Sequence, residues 1–397
     1  MTGMANHFRR LALFQTDITY LLQEAVAGLF QVESVELDAR QPGAIHLRGR
    51  FLVESDQAYP QVFRRFQELG YTPFFRDDGA RGQRITAMPG RLPTARPNWR
   101  LPLALFLATV LSTLFAGMEW LPQRPLWQNL LSGVPFAAGL LTILLAHEMG
   151  HYLVGRRLGV PVSLPHFIPF PLPPLGTMGA FIQMKAPPQN RRHLLAVGIA
   201  GPLSGLLFAI PLLLLGLSRS SVQPLPMEPS LMEGNSILYG LLKISLFGRF
   251  LPDCSPGSLR GALEIVRTAL YGCLPGRGED VFLGPLAFAG WAGLLVTGLN
   301  LIPAGQLDGG HIAYALLGRY ARYLTQAIIV VLVLLAVVFR WWGWLLWAGL
   351  IFLFGRRQAL PLDDVTRLKP WQMLLACLMM GIFVLTFVPV PFRVIAP

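Results

Sequence analysis

Acidic residues are scarce in this chain, 21 in 397 positions against 33 lysines and arginines. Only 14% of the residues are charged and 53% are hydrophobic, a balance too apolar for an ordinary soluble enzyme. Cysteine is scarcer still: Cys254, Cys273 and Cys377 supply neither a disulfide framework nor a thiolate metal set. Cys254 and Cys273 are expected to remain free thiols, with a bridge across their loop as the alternative. The opening "MTGMANHFRRLALFQTD" lacks an apolar core long enough for a cleaved signal peptide and is expected to be retained. There is no internal repeat and no low-complexity tract. A net charge of +12 could suit nucleic acid, but the arginines flank apolar segments instead of gathering on one face, so no nucleic-acid partner is expected.

What the chain has in abundance is uncharged length. A membrane-spanning helix needs about 20 largely apolar residues. Runs without a single charge occupy 101–118, 125–146, 194–218, 281–307 and 371–392, and two shorter ones, 323–339 and 341–355, flank Arg340. The expectation is an α-helical polytopic membrane protein with about six or seven transmembrane helices over residues 101–397. Ahead of it, mixed charge and the alternating patches "VESVELDA" and "AIHLRGRFLV" between helix-like stretches 16–29 and 57–69 suggest a small N-terminal α+β soluble domain over 1–80. Residues 81–100 read as an Arg/Pro/Gly-rich linker. Within 164–176, "LPHFIPFPLPPLG" has five prolines and forbids continuous helix. Its apolar flanks imply a short membrane-embedded β or re-entrant segment, with "GTMGAFIQMK" at 176–185 supplying strand. The distribution of arginine orients the spans so that His147, His151 and the turn after 281–303 share the cytoplasmic side, while 218–280 lies outside.

Into one apolar run, "LLTILLAHEMGHYLVG", the chain puts His147, Glu148 and His151. On a helix the two histidines leave one face with Cβ atoms about 5–6 Å apart, so both imidazoles can bind one zinc. Such an ion would lower the pKa of a bound water from about 16 to about 7, and Glu148 beside it could take the proton. The bland alternative is a polar cap on a span. A carboxylate in a spanning segment costs roughly 2.5 kcal/mol or more, which favours function.

A catalytic zinc needs a third protein ligand. The extended soluble-protease pattern would need Gly at 154 and His at 157, where this chain has Val154 and Arg157. No Asp or Glu occurs between Glu148 and Glu228, and the later acids lie in the outer loop or, for Asp363 and Asp364, before the last span. Asp308, in "GLNLIPAGQLDGGH", alone ends an apolar segment on the correct side and is the expected third ligand; otherwise it is an Asp-Gly turn residue. Asn300 is either a helix-packing amide or a donor to a developing oxyanion. His311 is either an outer-shell partner or an interfacial histidine, the second being the expectation, and His166 and His193 are expected to be loop and span-boundary residues.

"HEMGH" at 147–151 together with "NLIPAGQLDGGH" at 300–311 resembles the site-2 protease family of intramembrane zinc metalloproteases. The resemblance implies zinc on His147, His151 and Asp308, Glu148 as general base, and Asn300 holding substrate or stabilising the intermediate. The resemblance extends over roughly 125–315, the implied core of a transmembrane metalloprotease domain at 101–397, and includes "GIAGPLSG" at 198–205, whose small residues fit close helix packing. "GTMGAFIQMK", "GNSILYGLLK", "AFAGWAGLLVTGLNLIPAGQLDGGH" and "LDDVT" most resemble the cyanobacterial and plastid branch, the EGY-like proteases. Gly284 stands where that branch has a histidine, and 218–280 is short for the PDZ domain of many bacterial relatives. The implied activity is hydrolysis of peptide bonds in or near transmembrane segments of single-span or other membrane-protein substrates, in a bacterial cell membrane or a thylakoid or plastid membrane. A metal or proton transporter and an inactive binding scaffold are the rival readings.

Overall fold

A computed structural model of the chain describes residues 17–92, 98–228, 230–254, 261, 267–268, 270–273, 278–355 and 360–395. The basic opening with His7, and the centre of the Arg/Pro-rich stretch at 93–97, lie outside these. The chain divides into two compact units, one drawn from residues 1–95, 185–194 and 359–370, the other from 96–184, 195–358 and 371–397.

The first unit is a four-stranded antiparallel sheet with two helices. Helix α1 covers residues 17–25, followed by β1 (Phe30–Leu37), β2 (Ile45–Phe51), α2 (Ser55–Glu68), β3 (Tyr71–Asp77) and β4 (Gln83–Pro89). The sheet order is β1-β2-β4-β3. Alternation puts Ile45 and Leu47 of β2 and Ile85 and Ala87 of β4 on one buried face, where Leu22, Val62, Phe66 and Phe75 join them. Strand β4 runs through residues that composition assigns to a linker. Its alternating pattern is real, but Arg81, Gly82 and Arg84 around it mask the signal.

The "LDDVT" segment belongs to this unit. Phe75 donates to the Leu362 carbonyl at 2.8 Å, and Asp364 N–H returns a bond to Phe75 at 3.1 Å, so the segment adds to the outer edge of β3. Buried Asp363 accepts from the backbone of Val365 and Thr366 and from the Thr366 hydroxyl. Burial raises its pKa, and those donors oppose the rise. Arg191 pairs with Asp364 at 2.8 Å, and Arg192 with Asp56 at 2.6 Å.

The second unit is helical, with short two-stranded sheets. Its elements are α3 (Arg100–Gly117), α4 (Leu126–Ser132), α5 (Val134–Arg157), β5 (His166–Pro169), β6 (Thr177–Phe181), α6 (Arg191–Leu217), β7 (Ser221–Pro224), β8 (Ser230–Glu233), α7 (Ile237–Phe247) and β9 (Glu279–Phe282). There follow α8 (Pro285–Asn300), α9 (Asp308–Leu317), α10 (Ala321–Phe339), α11 (Gly343–Phe354), α12 (Pro370–Thr386) and β10 (Phe392–Ile395). The first turn of α6 lies in the first unit.

Among the described residues, four helical runs are long and apolar enough to cross a membrane: Arg100–Gly117, Val134–Arg157, Arg191–Leu217 and Asp308–Phe339. Helices α8, α11 and α12 are apolar but shorter. The uncharged runs overstate the helices for local reasons. Gly133 separates α4 from α5, Pro285 starts α8 and Pro303 follows its end, and Pro389 and Pro391 lie beyond α12.

The proline-rich segment forms the β5–β6 hairpin, pairing His166 with Phe181 and Phe167 with Ala180. It lies along α3: Phe106 meets Phe167 edge-on, and Gly176 fits so closely against Ser112 and Thr113 that a Cβ would fall 2.5 Å from a backbone oxygen. At φ +72°, Gly176 also needs the left-handed region open to glycine.

One expectation is corrected outright. Cys254 and Cys273 form a disulfide. Sequence spacing carries no information on whether two thiols in a long loop meet; folding brings their Cα atoms to 5.2 Å. The same region carries the β7–β9 and β8–β10 pairs, so the chain after α12 returns to pair Phe392 with Glu233.

Candidate metal centre

Helix α5 presents His147 and His151 one turn apart on a single face, as a spacing of four requires. Both are buried, with Glu148 beside them. The third group arrives through a tight buried turn. Helix α8 ends at Asn300, and Leu301, Ile302 and Ala304 are buried in the turn that leads to α9. The turn can close because Gly309 has no side chain: a Cβ there would lie 2.0 Å from the Leu301 carbonyl oxygen. Asp308 thereby opens α9 at its N-terminus, where free N–H groups favour a carboxylate.

The donor atoms converge. His147 Nε2 lies 3.1 Å from Asp308 Oδ2, His151 Nε2 lies 3.2 Å from Asp308 Oδ1, and the two Nε2 atoms are 3.2 Å apart. Among the described residues this is the one group of three potential ligands gathered so closely. A tetrahedral zinc with bonds of about 2.0–2.1 Å sets ligand–ligand edges of about 3.3–3.4 Å. The two imidazole nitrogens, 3.2 Å apart and each beside a different Asp308 oxygen, are close enough together to share one such ion. The chemistry of the set fits as well. His151 Nδ1–H donates to the Val197 carbonyl at 2.7 Å, which leaves its Nε2 lone pair aimed at the cluster.

Glu148 completes the arrangement. Its Oε2 is buried without a hydrogen-bond partner in the protein, while Ile182 N–H, just past β6, donates to the carboxylate. A buried carboxylate oxygen left free beside three convergent donors can accept a proton from a molecule held there. Asn300 Nδ2 lies 3.3 Å from His147 Nε2, so the amide belongs to the site. A cavity of about 170 Å³ opens on these groups, lined also by Ala180, Phe181, Ile182, Met184, Gln306 and His311.

All five residues expected from the sequence are thus together. His311 is placed differently from expectation: it is buried one turn after Asp308 and lines the cavity. Its spacing of three from Asp308 was the available signal. The roles of Ile182 and Val197 act through backbone atoms and leave no trace in residue type. His166 opens strand β5 instead of lying in a loop, and His193 lies in the first turn of α6, at the boundary of an apolar helix as expected.

With this geometry in place, comparison with known proteins is informative. The family model described as peptidase family M50 matches residues 135–340, and the chain belongs to that family. The chain is 32% identical over 268 residues to the "Probable zinc metalloprotease EGY2, chloroplastic" of Arabidopsis thaliana, covering 66% of this chain and 42% of that protein. It is 29% identical over 278 residues to the protein of that name from Oryza sativa subsp. indica, covering 68% and 46%. To the "Probable zinc metalloprotease EGY1, chloroplastic" of Arabidopsis thaliana it is 30% identical over 267 residues, covering 65% and 43%. The matched regions span less than half the length of these curated relatives. No solved structure matches.

Proposed function

We propose that this protein is an intramembrane zinc metalloendopeptidase of the site-2 protease type, hydrolysing peptide bonds in or near transmembrane segments of membrane-protein substrates. The observation that carries this reading is the convergence of His147 and His151 Nε2, 3.2 Å apart, on Asp308, whose two carboxylate oxygens lie 3.1 and 3.2 Å from them respectively, with an unpartnered Glu148 oxygen beside the set. The names of the three relatives given above, each a probable zinc metalloprotease, agree with it.

His147, His151 and Asp308 would hold the zinc, with Val197 fixing the His151 tautomer. Bound there, zinc supplies a Lewis acid for the scissile carbonyl and a lowered water pKa. Glu148 would accept the proton of the attacking water and pass it to the leaving amine. Asn300 would offer its amide to a substrate oxygen beside the ligands. A helical peptide bond is shielded by its own hydrogen bonds, so the substrate must enter extended. Among the described residues β6 pairs only with β5, and Ala180 and Phe181 at its end line the cavity, so the strand suits addition of a substrate strand. A cluster confined to one end of the spans argues against a transport path.

The site is assigned to the cytoplasmic or stromal side of a bacterial or thylakoid membrane. Arg156 and Arg157 end α5 just beyond His151. The disulfide in 218–280 suits an oxidising compartment on the opposite side, and α8, 16 residues or about 24 Å long, separates β9 in that region from Asn300. The deciding test is Glu148→Gln in the purified full chain: zinc content is expected to stay at one per chain while cleavage of a co-reconstituted single-span substrate falls by at least ~100-fold. Normal cleavage by this variant would remove Glu148 as the base.

A further inference from the structure

The segment "GIAGPLSG" does more than let helices approach. Three of its glycines, Gly198, Gly201 and Gly205, lie at spacings of three and four and so share one face of α6. Each underlies a different histidine. A Cβ at Gly198 would lie 3.2 Å from His311 Cβ, one at Gly205 would lie 3.2 Å from His147 Nδ1, and one at Gly201 would lie 2.0 Å from His151 Nε2. Glycine in a helix interior is less favourable than alanine, so three on one face need an offsetting reason.

The contact at Gly201 is the most restrictive, because the atom it would strike is the donor atom itself. The whole edge of the ring is involved, with Cδ2 at 2.4 Å and Cε1 at 2.5 Å. A flexible side chain could swing away from a methyl group, but this one is held on its other nitrogen by the Val197 carbonyl, 2.7 Å away on the same helix. Moving the ring to clear residue 201 would break the bond that fixes its tautomer. Pro202 sits inside the helix at this turn and lacks an N–H, so the local ladder is already interrupted.

We infer that α6 is the floor of the metal centre and that Gly201 is a positioning residue for zinc: the missing side chain at 201 and the carbonyl of Val197 together hold His151 Nε2 at the apex where it meets His147 and Asp308. This rests on the zinc reading above. The full chain, purified in detergent, tests it by chelator competition for zinc and by the visible absorption of the cobalt-substituted protein, which reports ligand number and geometry. Gly201→Ala is expected to weaken zinc binding by roughly 10- to 100-fold and to change the cobalt spectrum, the range seen when groups supporting a ligand are lost. Gly205→Ala, with its milder intrusion on His147, is expected to show a smaller loss and decides the matter if Gly201→Ala does not fold. Gly139→Ala is the packing control: it lies on α5, and its Cβ would meet Ala289 at 2.9 Å with no histidine nearby, so zinc affinity should be unchanged. Wild-type affinity and spectrum in a folded Gly201→Ala, or in Gly205→Ala where that variant decides, would overturn the inference. So would an equal loss in Gly139→Ala. A wild-type chain that binds no zinc would instead overturn the reading of the site.

Discussion

Two buried sets of ionisable groups lie in the same helical unit, and they are built on opposite plans. Near the disulfide, Lys243 is fully buried, with its ammonium 3.1 Å from Asp280 and 3.6 Å from Glu233, and 4.4 Å above the ring of Tyr239. The Tyr239 hydroxyl donates to Glu233 at 2.9 Å. This set carries its own cation. At the other end of α8, His147, His151, Glu148 and Asp308 face a cavity whose lining includes no lysine or arginine. Buried Glu148 and half-buried Asp308 stand there beside two converging imidazoles. Burying charge without a counter-charge is costly; the first set is offset by its own ammonium even though Asp280 Oδ2 lacks a hydrogen-bond partner, whereas the second calls for an ion from outside.

That contrast can be broken at either end. The largest effect is expected from Asp308→Ala, which removes a ligand: zinc affinity should fall by more than ~100-fold, beyond the loss seen for supporting groups, as read by metal analysis after dialysis. Unchanged zinc content would take Asp308 out of the site. Next comes Lys243→Met, which leaves Asp280 and Glu233 buried without a cation. Thermal or denaturant unfolding in detergent should show a loss of about 3–5 kcal/mol, with zinc affinity intact in the folded fraction. A loss of zinc affinity in parallel would mean that the two sets are not independent.

The smallest effect concerns pH. Burial, reinforced by Asp280 and opposed by Lys243, pushes Glu233 up to about 7. The folded state then holds a proton that the unfolded chain has released above about 4.5, so this group favours folding in acid, and the benefit fades as pH rises from about 4.5 to 7. Glu233→Gln should flatten that part of the stability curve measured by thermal unfolding. An unchanged slope between pH 5 and about 7 would assign the pH dependence to other groups.

How much of this was legible beforehand depends on distance along the chain. The helical face that carries His147 and His151 follows from a spacing of four, and apolar length marks the spans. Asp308 was reached by elimination, because acids are so few that one candidate remained on the correct side. The same sparseness did not help with cysteine. Composition obscured β4, whose register is set by pairing with β2 and β3 rather than by its own residues. The motif "GNSILYGLLK" was visible as a resemblance, but its content was not: Gly234 gives its carbonyl to Trp291, Tyr239 and Lys243 build the buried charge set, and Ser236 caps α7.

By itself, then, the sequence determined the membrane character of the chain, the glutamate and histidine face of α5 and the identity of the candidate ligands, because these depend on local periodicity and on transfer of apolar side chains out of water. Only the tertiary structure decided that a carboxylate 161 positions from His147 closes the set, that Cys254 meets Cys273, and that the bare backbone of α6 lies beneath His151. The reason is physical: local order is written in side-chain spacing, whereas these three contacts depend on how buried turns and close-packed helices bring distant backbone together, and glycine and carbonyl groups do that without a side chain to announce it.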